Sequence, residues 1–177
     1  MCFLRNGFHQ TSMQDVIKEA GLSVGAVYRY FPSKNDLITA LAEQVIDQIT
    51  EVFGEFANED PPPSFATAMQ RATDLVTAQT GPDGALRMAL QIWSEAMYDP
   101  ALASFVEQVY GRIRAILIRL SQRAIDHGDL PAGTDPEAVG VVLFSLMPGY
   151  ALQRILTGGP PPETFKAGLA ALLPGQR

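Results

Sequence analysis

Residues 11–34 read Thr11-Ser12-Met13-Gln14-Asp15-Val16-Ile17-Lys18-Glu19-Ala20-Gly21-Leu22-Ser23-Val24-Gly25-Ala26-Val27-Tyr28-Arg29-Tyr30-Phe31-Pro32-Ser33-Lys34, and their punctuation decides the fold. Thr11 with Gln14 three residues on has the form of a capping box, in which two side chains satisfy backbone donors that a helix start leaves unpaired. Gly21 ends that helix, because glycine enters a left-handed turn without a Cβ penalty. Ser23 caps a second short helix over 24–30. Pro32 cannot continue a helix interior, and Ser33 with Asp36 three residues later opens the next one. Two short helices joined by a glycine turn make a helix-turn-helix, with the second helix placed to enter a major groove.

Met13, Val16, Ile17, Ala20, Leu22 and Val27 fall on the inward side of this pair. The second helix then exposes Val24, Gly25, Ala26, Tyr28, Arg29 and Tyr30. Gly25 and Ala26 are small enough to let the helix start approach base edges, and its backbone N–H groups can receive a phosphate. Tyr28 and Tyr30 offer hydroxyls to phosphate, Arg29 can meet guanine or phosphate, and Lys34 adds a phosphate contact. By spacing alone the same residues also fit a generic helical hairpin whose tyrosines merely pack.

Working outward, no stretch alternates with period two for long enough to build a sheet, whereas apolar residues recur at three and four almost throughout. Leu37, Leu41, Val45, Ile49, Val52 and Phe56 mark one stripe of a long helix that runs to about Asn58 and stops before Pro61-Pro62-Pro63. Further helices are expected over 64–80, from about 86 to 98, over 100–127, 136–157 and 163–173. Gly81-Pro82-Asp83-Gly84, Asp99-Pro100, Gly128, Thr134-Asp135-Pro136-Glu137 and Gly158-Gly159 set their limits. Pro148 interrupts one of them and frees a carbonyl near Phe144, with a kink that either widens a cavity or curves the helix around the core. The chain is expected to be all-α, with eight helices or slightly more and no internal repeat.

The 177 residues are 47% hydrophobic and 18% charged, a globular balance that buries a core without disulfides. The single Cys2 excludes an intramolecular bridge. No run of about 18 apolar residues occurs, Val139–Leu146 being the longest candidate, and no secretory signal is visible. A soluble, cytoplasmic protein with no membrane partner is expected. The net charge of −6 argues against nucleic acid until it is resolved by position. Arg5, Lys18, Arg29 and Lys34 face only Asp15 and Glu19 in residues 1–34, so the head carries +2 and the remainder −8. No G-x-S-x-G, dinucleotide, P-loop or H-E-x-x-H pattern is present, which speaks against an enzyme. His9 and His127 read as surface or capping residues in different domains, and Glu59-Asp60 as a solvated linker, so neither a metal site nor a cofactor is expected.

Gly7-Phe8-His9-Gln10-Thr11-Ser12-Met13 followed by Ala20 through Lys34 closely resembles the DNA-binding domain of the TetR family of bacterial transcriptional repressors. The likeness is dense over about 35 positions and includes the glycine turn and the Phe31-Pro32-Ser33-Lys34 exit. In the body, Ile92-Trp93-Ser94-Glu95-Ala96 before Asp99-Pro100-Ala101-Leu102 looks like a recurrent pattern of such proteins. The resemblance implies a DNA-binding head over 1–46 and an effector-binding and dimerisation body over 47–177. It implies operator contacts from Thr11, Gln14, Ser23, Val24, Gly25, Ala26, Tyr28, Arg29, Tyr30 and Lys34.

A homodimer follows from the need to place two recognition helices in grooves about 34–36 Å apart on a palindromic site. The last two helices are its expected interface, through Val139, Val142, Leu143, Leu146, Phe165, Leu169 and Leu172, of which about half are expected to bury within the protomer. A largely apolar effector is expected among Met88, Trp93, Met97, Tyr98, Phe105, Tyr110, Phe144, Met147 and Tyr150, each of which also reads as ordinary core. The long helix from Lys34 is the expected mechanical link, tilting when effector binds. Only Cys2-Phe3-Leu4-Arg5-Asn6 precedes the Gly7-Phe8 turn, about the last turn of the family's first helix, which implies weak operator binding unless upstream residues are restored. The competing reading is a helical small-molecule- or partner-binding protein that does not bind DNA in this form.

Overall fold

The computed structural model describes residues 2–173; the helix side chains at positions 4, 8, 9, 45, 48, 49, 52, 56 and 57 lie outside what it describes. Among the described residues the chain forms α1 (Cys2–Gln10), α2 (Met13–Ala20), α3 (Val24–Tyr30), α4 (Lys34–Asn58), α5 (Phe65–Ala78), α6 (Ala85–Ala96), α7 (Pro100–Asp126), α8 (Pro136–Thr157) and α9 (Pro162–Leu172), with no strand. The stripe expected at Val45, Ile49, Val52 and Phe56, and the side chain of His9, fall on positions outside the description.

Local side-chain chemistry sets most of these limits. Ser23 Oγ accepts from the Ala26 N–H at 3.2 Å and caps α3. Ser33 and Asp36 form the expected reciprocal box at the start of α4, and Asp99 and Asp135 each cap a helix with proline in its first turn. Gly21 closes α2 in the left-handed region at φ 66°.

The first box lies one residue from its expected place. Ser12 Oγ accepts from the Asp15 N–H at 3.2 Å, and the Asp15 carboxylate accepts from the Ser12 N–H at 2.9 Å. A carboxylate binds that N–H more strongly than the neutral amide of Gln14 would, which settles the register. Thr11 is instead buried, and its hydroxyl donates to the Gly7 carbonyl at 2.8 Å. Gly7 itself, at φ 79°, breaks α1 into two short turns.

Two cores follow from the packing. In the head, Phe3, Met13, Ile17, Val27, Leu37 and Ile38 are buried together, and this cluster runs on without a break into Ala42 of α4 and Met88 and Ile92 of α6. The body core gathers Phe53, Phe65, Met69, Leu117, Leu120, Leu143, Met147 and Leu169 from five helices. Ala20 and Leu22, expected inward, are exposed, Leu22 at 58%. Ala20 is the last residue of α2 and Leu22 lies in the turn after Gly21, and neither is buried in the core of the helix pair.

The long α7 packs along both α4 and α8. Its contact with α8 is close: a Cβ on Gly140 would stand 2.9 Å from Ile118 Cγ1. The 22-residue α8 is long and apolar enough to cross a membrane by length and composition alone. One side of it holds Leu143, Met147 and Tyr150 in the core, while Val141, Val142, Leu152 and Leu156 lie exposed on the other.

Candidate functional site

The helix-turn-helix presents a small, firmly held surface. Val27 anchors α3 at 7% exposure, so the remaining turns of that helix face outward. Val24, Gly25, Ala26, Tyr28, Arg29 and Tyr30 are all exposed, as is Gln14 on α2. Ser23 is also exposed, but its hydroxyl is committed to capping α3. Lys34 is half-buried and donates to the Thr11 carbonyl at 3.3 Å. Thr11 alone of the ten expected contact residues has its side chain sealed inside. Its role is to lock the Gly7 turn beneath α2.

Head and body are stitched at several points. Asn35, on the first turn of α4, hydrogen-bonds the Asp99 carboxylate whose other oxygen caps α7. Gln91 of α6 donates to the Phe3 carbonyl at 3.4 Å, and Arg112 of α7 bonds Asp47 and Thr50 of α4. Within the head, Glu19 accepts from both the Cys2 thiol and Arg5. The thiol hydrogen bond first, with Arg5 assisting, lowers the Glu19 carboxyl to about 2. The same contact raises the Cys2 thiol, which keeps it protonated and chemically quiet.

A cavity of about 140 Å³ opens among α4 to α8. Ala42, Ile46 and Phe53 of α4 form one wall; Met88, Ile92 and Trp93 of α6 form another. Phe105, Val106, Tyr110 and Ile113 of α7 face Phe144, Met147 and Pro148 of α8 across it. Tyr110 lies edge-on to both Trp93 (6.3 Å between centroids) and Phe144 (4.7 Å). Burial raises the Tyr110 phenol above its ordinary value.

Six of the nine expected pocket residues, Met88, Trp93, Phe105, Tyr110, Phe144 and Met147, line this space. Met97 and Tyr98 do not: they follow the end of α6 and are 70% and 84% exposed. Tyr150 also lies away from it, buried, stacked on Phe165 at 4.2 Å and hydrogen-bonded to Thr77 at 2.8 Å. Sequence reasoning missed Phe53, Gln79, Ile92, Val106 and Val109. For the four apolar residues the only signal is membership of an apolar helix face, which is the signal of any core residue; Gln79, the polar residue that ends α5, carried none.

Of the residues expected between protomers, Leu143 and Leu169 are buried in the body core, and Val139, Leu146 and Phe165 pack partly against it. Val142 and Leu172 are exposed, at 58% and 77%. Among the described residues no three His, Cys, Asp or Glu side chains gather to hold a metal.

A helix-turn-helix joined through one continuous apolar core to a helical chamber defines a one-component regulator, in which the same chain meets DNA and a small molecule. The family model for bacterial regulatory proteins of the tetR family matches residues 1–41, and that for the C-terminal part of BetI-type transcriptional repressors matches residues 66–176. The HTH-type transcriptional regulator BetI of Escherichia coli O17:K52:H18 is 27% identical over 157 residues, covering 87% of this chain and 76% of that one.

Two solved structures share the fold. A putative regulator from Saccharomonospora viridis, in complex with choline, superposes with a TM-score of 0.78 at 18% identity, covering 97% of this chain and 88% of that one. FadR from Bacillus subtilis, in complex with stearoyl-CoA, gives 0.82 at 17%, covering 99% and 94%. The chain belongs to the TetR family of bacterial transcriptional regulators. It is a ligand-responsive, DNA-binding regulator of the helix-turn-helix class.

Proposed function

We propose that this protein binds a palindromic operator as a homodimer and leaves it when a small apolar molecule enters the cavity. Residues 1–46 serve as the reading head and 47–177 as the effector-binding and dimerisation body, acting in the cytoplasm where the operator lies. Gln14, Val24, Gly25, Ala26, Tyr28, Arg29 and Tyr30 meet the DNA, flanked by the Ser23 and Lys34 backbone and side chains. Thr11 acts from beneath by fixing the turn that carries α2.

The observation that supports release most strongly is shared wall. Ala42, Met88 and Ile92 line the cavity and belong to the same buried cluster as Met13, Ile17 and Val27 of the head. A ligand that prefers a different placement of α4 and α6 therefore acts on the packing that orients α3, and only such a preference can shift the equilibrium. For dimerisation, the supporting feature is the uncovered stripe of Val141, Val142, Leu152 and Leu156, interleaved with exposed Ser145 and Gly149, which lets a second α8 approach closely.

The test is a titration of the full chain against fluorescent DNA from beside its own gene, with sedimentation run in parallel. Specific binding by two protomers per site, weakening steeply with salt, is expected. Leu152→Asp is expected to yield monomers and to lose operator binding with it. A monomer at micromolar concentration, or equal affinity for unrelated DNA, overturns the reading.

A further inference from the structure

We infer that the cavity is built for a small, uncharged aromatic molecule bearing one hydrogen-bonding group, which Tyr110 meets. This rests on the cavity being the effector site, as proposed above. Size comes first. At about 140 Å³ the space is close to an engineered apolar cavity of about 150 Å³ that stays dry and takes benzene. A ring of six atoms with one or two substituents, about six to nine heavy atoms in all, fills it.

Shape comes next. Trp93, Tyr110 and Phe144 stand successively edge to face, at interplanar angles of 86° and 65°. Such an array offers a flat guest both ring faces and ring edges, the arrangement in which aromatic pairs gain beyond their buried area.

Charge excludes the remaining small candidates. No ionised side chain lines the cavity among the described residues. Ring faces attract a cation, but no carboxylate stands in this wall to balance one, so the lining favours an uncharged guest and choline is the probe that tests the point. A carboxylate would find no cation, and only the Gln79 amide and the Tyr110 hydroxyl as side-chain donors.

The polar groups in the wall are few. The Gln79 side-chain carbonyl is already engaged, accepting from the Ala85 N–H at 3.3 Å. Tyr110 keeps its proton, because burial disfavours the phenolate. Its hydroxyl can therefore donate or accept, and its ring, part of the cavity lining, packs against both Trp93 and Phe144.

Four probes test this on the full-length protein: 4-methylphenol, toluene, choline and decanoate. Trp93 is the chain's one tryptophan, so red-edge excitation of its emission reports filling of the cavity, with calorimetry as the second readout. One 4-methylphenol per protomer is expected to bind, with toluene competing and choline and decanoate without effect. Tyr110→Phe should weaken 4-methylphenol about tenfold and leave toluene within about twofold. Ala89→Phe, which fills the space, should abolish both.

Tighter binding of choline or decanoate, binding of none of the four, or equal loss of both aromatics in Tyr110→Phe overturns the inference. Operator titrations with each probe separate it from the regulatory reading. If 4-methylphenol fills the cavity without changing operator affinity, the regulatory reading fails and the ligand class stands. If choline releases the operator, the ligand class fails and the regulatory reading stands.

Discussion

The head and the body are held in shape by different kinds of interaction. In the head, hydrogen bonds spanning three residues (Ser12 with Asp15, Ser23 with Ala26, Ser33 with Asp36) start every helix after α1. The surface that faces outward is thereby specified by its own sequence neighbourhood, before any distant contact forms. In the body Ser64, Asp99 and Asp135 cap helices in the same way, but the helices are placed by apolar contacts far apart in the chain, and those contacts leave about 140 Å³ unfilled. The proposed reading surface thus rests on an imperfectly filled support, and the unfilled part is the place proposed above for a ligand.

Three changes would break or sharpen that contrast. The largest effect is expected in the body. Gly84 caps α6, and a Cβ there would stand 2.1 Å from the Gln79 carbonyl oxygen, a backbone atom that has no side-chain freedom to yield. Gly84→Ala should cost about 3 kcal/mol, roughly 10 °C in melting temperature, with the α5–α6 corner of the cavity displaced. Unchanged melting would show that the body absorbs local insults as the head does.

The second change reverses the pattern. Position 26 is the third residue of α3, so Ala26→Glu completes a capping box with Ser23 while setting a negative charge on the face proposed to meet DNA. Operator affinity should fall at least about a hundredfold. Stability should hold or rise by about 0.5 kcal/mol, read as a melting temperature no lower than before. A fall in both would mean that α3 is not independent of its surroundings.

The smallest effect concerns acid. The Glu19 carboxyl lies at about 2, below its ordinary value near 4.5, chiefly through the Cys2 thiol. A group depressed on folding contributes stability that is whole above about pH 4.5 and disappears as pH falls toward 2. Amide exchange in α2 should quicken across that window, and Glu19→Gln should flatten the response. An identical acid limb in both proteins would remove Glu19 from the account.

Much of the fold was legible because helix ends carry chemistry. Asp99-Pro100, Asp135-Pro136, Gly21 and Ser33 each act through contacts within four residues, and each element begins or ends where they place it. The exception at Thr11 arose because two overlapping boxes compete there, and the choice turns on a carboxylate outbidding an amide. On the site, the exposed face of α3 could be read from Val27 alone, since one anchored residue orients seven.

The cavity could not be read the same way. Met97 and Tyr98 lie past the last turn of α6, where a one-residue change of helix end rotates them out to solvent. α8 is apolar on all sides, so periodicity could not tell Leu143 and Tyr150, which face in, from Val142 and Leu156, which face out. A void is a property of five helices together, and no single stretch of sequence records it.

If the cavity holds the effector as proposed, the shared wall has a practical consequence for redesigning the response. Substitutions at Trp93, Tyr110 or Phe144 touch the chamber without entering the cluster that seats Met13, Ile17 and Val27. They form a free palette for altering which molecule is sensed. Ala42, Met88 and Ile92 are different, because each at once lines the chamber and belongs to the buried cluster of the head. On that proposal a change there alters the uninduced grip on DNA together with ligand preference, so specificity and leakiness drift as one trait unless those three positions are left alone.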